Sequence, residues 1–99
     1  MALAGKEAEY RSLHNDVWPA VLQTLRENGI RKYSIFVRDR LLFSCFEFVG
    51  DNLEVAMLNI VIDEITKQWL NLTQPCQTPV ESAQTGEWWL PAEQVFHFD

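Results

Sequence analysis

Two runs rich in aromatic and β-branched residues, residues 31–38 and 41–49, are separated by only Asp39-Arg40. A link of two residues cannot carry a crossover, so the two runs must pair as an antiparallel hairpin. Tyr33, Ile35 and Val37 alternate along the first run and share one face of it. A lone hairpin is marginal in water, so other elements must cover that face. The chain has the material for this: 47% of its 99 residues are hydrophobic, enough for one domain over residues 1–99 with its own core.

Helices are expected on both sides of the hairpin. Residues 6–28 place Tyr10, Leu13, Val17, Trp18, Val21 and Leu25 on one broad helical stripe, with Arg11, Asn15, Asp16, Gln23, Arg26 and Glu27 on the other side. Pro19 removes a backbone donor and predicts a kink or break near Val17-Trp18, and Gly29 suits the left-handed position after the helix. After Gly50, Asp51 reads as an acidic cap with Glu54 three residues on. The apolar positions from Leu53 to Leu72 do not share one stripe, so Asp63 is read as a second cap that starts a new helix over residues 64–72. Residues 73–86, with Pro75, Pro79 and Gly86, read as a long loop, and the alternating residues 94–98 as a closing strand. The order helix, strand, strand, helix, helix, strand predicts an α+β layer, with helices on one face of an antiparallel sheet.

Charge and composition narrow the partners. Eight Lys and Arg against 14 Asp and Glu leave a net charge of −6, the wrong sign for a phosphate backbone. No apolar run approaches the ~20 residues that span a bilayer, and residues 1–9 lack the pattern of a secretion signal. Cys45 and Cys76 are too few for a disulfide framework and have no metal-binding spacing, so a reduced, cytoplasmic protein without a metal is expected. Cys45 itself reads as a small buried hydrophobe.

Tyr10 and His14 lie four residues apart, one above the other on a helix, and Trp18 is a turn further on. Both polar rings fall inside the apolar stripe. If the space between helix and sheet is a cavity, they can exchange protons with a ligand, since histidine gives and takes protons near neutral pH. Without a cavity they are hydrogen-bonded residues at the edge of a core. Tyr33 could face the same space, depending on strand register. Trp69, Trp88 and Trp89 offer rings for stacking on a sugar, or core packing. Glu47 is either an edge residue facing water or a paired group in a site, and His97 carries the same ambiguity. Asn71-Leu72-Thr73 is a glycosylation sequon, which has meaning only in a secreted chain.

The pattern Tyr10-x-x-x-His14-Asn15-x-x-Trp18-Pro19, followed by Tyr33-Ser34-Ile35-Phe36, Lys67-Gln68-Trp69 and Glu93-Gln94-Val95-Phe96, resembles the L-rhamnose mutarotase family from about Gly5 to the end. The resemblance implies a ferredoxin-like, dimeric α+β protein that interconverts the anomers of L-rhamnose without a cofactor. It implies His14 as proton donor, with Tyr10, Tyr33 and Trp69 contacting the sugar. Whether Tyr10, a carboxylate or water acts as base stays open. Two departures stand out. Where the family carries paired tryptophans, Trp69 is followed by Leu70, and only residues 1–5 precede the first helix, too short for the family's full first strand. A truncated or missing strand predicts one of three remedies: a stub, direct pairing of residues 94–98 with the hairpin, or a strand donated by a partner chain. The last leads to the expectation of an obligate homodimer or higher oligomer. The rival functions on such a fold are a non-catalytic binding module and an oxygenase with a histidine facing the sheet.

Overall fold

The computed structural model describes residues 2–3, 5–85 and 89–98. Among these, the elements run β1 (Ala2–Leu3), α1 (Glu7–His14), α2 (Pro19–Glu27), β2 (Ile30–Arg38), β3 (Leu41–Phe48), α3 (Leu53–Ile62), α4 (Glu64–Thr73) and β4 (Gln77–Thr78). The four strands form one antiparallel sheet in the order β2-β3-β1-β4, the order of a ferredoxin-like fold.

Local chemistry explains most boundaries. Pro19 is the first residue of α2, where its missing N–H costs nothing, so the expected interruption becomes a full break between α1 and α2. Gly29 follows α2 at φ +85°, and a Cβ there would collide with the Val49 carbonyl. The Gly29 carbonyl accepts from the Val49 N–H at 2.8 Å, tying the end of α2 to the end of β3. Asp39 and Arg40 both take positive φ, 51° and 67°, as a two-residue turn between right-twisted strands requires. Asp63 caps α4 as expected: its carboxylate accepts from the Thr66 N–H at 3.0 Å and from the Thr66 hydroxyl at 2.8 Å.

The hairpin contains a bulge that no alternation rule shows. Lys32 adopts φ 50°, and the register slips between Arg31, opposite Glu47, and Ser34, opposite Cys45. Two residues of β2 therefore face the single Phe46. The extra residue lets buried Ile30 and the alternating Tyr33, Ile35 and Val37 all face the helices. On β3 the matching inner residues are Leu42, Ser44, Phe46 and Phe48. Tyr10, Leu42 and Cys76 form the buried centre, with Leu13, Ile35 and Val37 packed around it.

Several expectations are corrected. Residues 94–98 form no strand; Val95, Phe96 and Phe98 are 89%, 79% and 84% exposed. The position beside β1 is taken instead by β4, which follows α4 through a 3-10 turn at Gln74–Cys76, inside the segment read as a loop. The cap of α3 is Asn52, whose side chain accepts from the Val55 N–H at 3.1 Å, and not Asp51. Cys45 is exposed because it lies on the outer face of the sheet, while Cys76 is the buried thiol, its pKa pushed up by desolvation and by the nearby Glu9 carboxylate. Glu47 is also an outer-face residue, in a solvent-exposed pair with Lys32 at 3.7 Å. The shortened first strand is the stub of the three remedies: Ala2 pairs with Leu41 on one side and Thr78 on the other. Trp88 lies outside the described residues, and Trp89 is partly exposed beyond any helix or strand.

Candidate active site

Helix α1 crosses the inner face of the hairpin so that an open cavity of about 300 Å³ remains between them. That volume lies at the lower end of the range for small-molecule sites. From the helix the lining comprises Glu7, Tyr10, Arg11, His14 and Asn15; from the sheet it is apolar, chiefly Ile35, Val37 and Leu42. One wall can hydrogen-bond and the other can cover the face of a ring.

Tyr10 and His14 are stacked, with ring centroids 4.2 Å apart and planes 27° from parallel. His14 Nδ1 lies 2.9 Å from the Tyr10 carbonyl oxygen. A carbonyl only accepts, so Nδ1 carries the proton in this bond and Nε2 is the nitrogen that gains or loses one. The indole of buried Trp69 meets His14 edge-on at 5.5 Å, and Trp18 meets Trp69 edge-on at 5.4 Å. Together these contacts hold the imidazole plane from two sides.

Tyr10 is buried, and its pKa is pushed up to about 12, first by desolvation and then by the neighbouring Tyr33 and Cys76. It is a neutral phenol at physiological pH: a donor and acceptor of hydrogen bonds, not a base. Tyr33 sits on the inner face with its ring stacked on Phe46, centroids 5.7 Å apart. It remains 42% exposed, yet desolvation raises its pKa, with a hydrogen bond to Ser44 pulling the other way.

The four residues singled out from the sequence thus occupy one neighbourhood in different positions. Tyr10 and His14 line the cavity, Trp69 backs His14, and Tyr33 stands beside Tyr10 without lining the cavity. Arg11 and Asn15 are exposed, as the helical wheel places them, and both also reach the rim of the open cavity. Glu7 was missed. It stands seven residues before His14, a spacing that returns a helix to nearly the same face, and that spacing was the available signal. Leu70 is half-buried and does not line the cavity. Among the described residues no group of three or more His, Cys, Asp or Glu side chains is placed to hold a metal, and no helix is long and apolar enough to cross a membrane.

A family model described as L-rhamnose mutarotase matches residues 2–98. The chain belongs to the L-rhamnose mutarotase family. It is 41% identical over 85 residues to the L-rhamnose mutarotase of Clostridium beijerinckii, covering 77% of this chain and 78% of that one. With the enzyme of Formosa agariphila the identity is 27% over 101 residues, covering 96% and 88%. With that of Burkholderia ambifaria it is 37% over 67 residues, covering 66% of this chain and 62% of the relative. Family membership makes the cavity beneath α1, with its His–Tyr stack, the place to look for isomerase chemistry.

Proposed function

We propose that the chain is a cofactor-free mutarotase acting on L-rhamnose or a related 6-deoxyhexose, with His14 as the proton donor. The observation that carries this reading is the tethered imidazole: Nδ1–H is committed to the Tyr10 carbonyl, so Nε2 serves a ligand in the cavity. Mutarotation needs little more. A proton delivered to the ring oxygen, as the anomeric hydroxyl gives one up, opens the pyranose to an aldehyde. Closure on the other face of the carbonyl inverts the anomeric centre.

The remaining residues bind and orient. Tyr10, as a neutral phenol, hydrogen-bonds a sugar hydroxyl; Tyr33 supports Tyr10 from the sheet without lining the cavity, and Trp69 keeps the imidazole in place. Ile35, Val37 and Leu42 suit the face and methyl group of a 6-deoxy sugar. The working form is a homodimer, a reading supported by the exposed apolar patch of Phe36, Leu41 and Phe43 on the outer face of the sheet. A cytoplasmic setting fits the exposed free thiol of Cys45.

The direct test is the rate of exchange between the two L-rhamnose anomers, measured by NMR saturation transfer with and without protein. His14→Gln is expected to remove most of the acceleration, by roughly 10²–10⁴-fold. A folded His14→Gln variant as fast as the parent would show that the histidine is structural.

A further inference from the structure

We propose that Glu7 is the general base of the anomer exchange; this rests on the reading of the cavity as a mutarotase site. Ring opening requires a group that takes the proton of the anomeric hydroxyl while another protonates the ring oxygen. Among the described residues lining the cavity, Glu7 is the one carboxylate and His14 the one imidazole. Tyr10, the other titratable candidate on this wall, stays protonated far above neutral pH.

The helix places the two groups suitably. Glu7 and His14 are the first and last residues of α1, seven positions apart. Two turns return Glu7 to within about 20° of the His14 direction, and the Cα atoms are separated by about 10.5 Å along the axis. An acetal unit with a hydrogen bond on each oxygen spans roughly 8 Å. A sugar can therefore bridge the carboxylate and the imidazole without either leaving the helix face. Arg11 donates from Nε to Glu7 Oε2 at 3.2 Å, which orients the carboxylate and leaves Oε1 as an acceptor. The Glu7 side chain is 45% exposed, so a sugar entering the open side of the cavity reaches it.

The step balances with these two groups alone. Starting from the carboxylate and the doubly protonated imidazole, Glu7 takes the anomeric hydroxyl proton, the carbonyl forms, the bond from the anomeric carbon to the ring oxygen breaks, and the ring oxygen takes the proton on His14 Nε2, leaving Nδ1–H on the Tyr10 carbonyl. The aldehyde turns over by rotation about its carbon–carbon bond. The freed hydroxyl then attacks the other face and returns its proton to His14, while Glu7 returns its own to the carbonyl oxygen. Both side chains end as they began.

The bland alternative is an ordinary helix ion pair, worth little to activity. Glu7→Gln separates the two, because it keeps the size and a hydrogen-bond acceptor but cannot take a proton. For L-rhamnose, kcat of exchange is expected to fall by roughly 10²–10⁴-fold with KM changed by less than about threefold. Added formate is expected to restore exchange to Glu7→Ala and not to His14→Ala. Overturning results would be a folded Glu7→Gln within about threefold of the parent kcat, or a slow Glu7→Ala that formate does not restore. A parent protein that leaves anomer exchange unchanged overturns the reading of the site, and this assignment with it.

Discussion

At the scale of single residues, the environments of Tyr10 and His14 divide their work. His14 is tied through Nδ1 and held by Trp69, which orders the imidazole without blocking Nε2. Tyr10 is buried on the same face and holds its proton up to about pH 12. It can position a hydroxyl but cannot accept a proton at neutral pH. Tyr10→Phe should therefore weaken binding more than chemistry. One lost hydrogen bond is worth about 1 kcal/mol, a roughly fivefold rise in KM for the sugar, with kcat within a few-fold. Steady-state anomer exchange at varied sugar concentration separates the two constants; a collapse of kcat with KM unchanged would mean that the phenol takes part in proton transfer.

At the scale of elements, the boundary between α3 and α4 rests on Asp63. Its carboxylate is held below the usual range by the Thr66 N–H, then by the Thr66 hydroxyl, with a smaller contribution from Thr24. A carboxyl with a lowered folded-state pKa stabilises above its unfolded value, near pH 4, and that contribution is lost as pH falls through the lower folded value. The parent should lose thermal stability across that acid window, and Asp63→Asn should show a flatter melting temperature against pH there. Equal slopes would mean the cap contributes nothing to folding. Asp63, Pro19, Gly29 and Asp39-Arg40 were legible in the sequence because each acts through backbone chemistry within a few residues. Residues 94–98 and β4 were not, since alternation describes a strand and only a neighbour makes one: Gln77–Thr78 reaches the β1 edge through the turn after α4. The Lys32 bulge is hidden for a similar reason, as register belongs to a pair of strands. In the site, Tyr10 and His14 stood out by their spacing within an apolar stripe. Glu7 did not stand out, and Arg11 and Asn15 lie on the solvated side where the wheel puts them; that all three reach the cavity rim depends on the sheet's position under α1.

At the scale of the whole molecule, the helices cover one face of the sheet and leave an apolar patch exposed on the other. Phe36 and Phe43 are cross-strand partners on that outer face, 58% and 54% exposed, with Leu41 and Cys45 near them. Exposed apolar patches of this kind are common at interfaces, and in the proposed homodimer two copies related by a two-fold axis would each present the same rings. A homodimer closed over this surface should melt at a midpoint that rises with protein concentration. Sedimentation of a stable monomer at low micromolar concentration, with a concentration-independent midpoint, would contradict it. The central claim concerns the opposite face, where a tethered histidine looks into a sugar-sized cavity. NMR saturation transfer between the α and β anomers of L-rhamnose tests it most directly: exchange accelerated by catalytic amounts of the protein is the predicted result, and exchange no faster than in buffer, with L-rhamnose and its 6-deoxyhexose relatives alike, would contradict it.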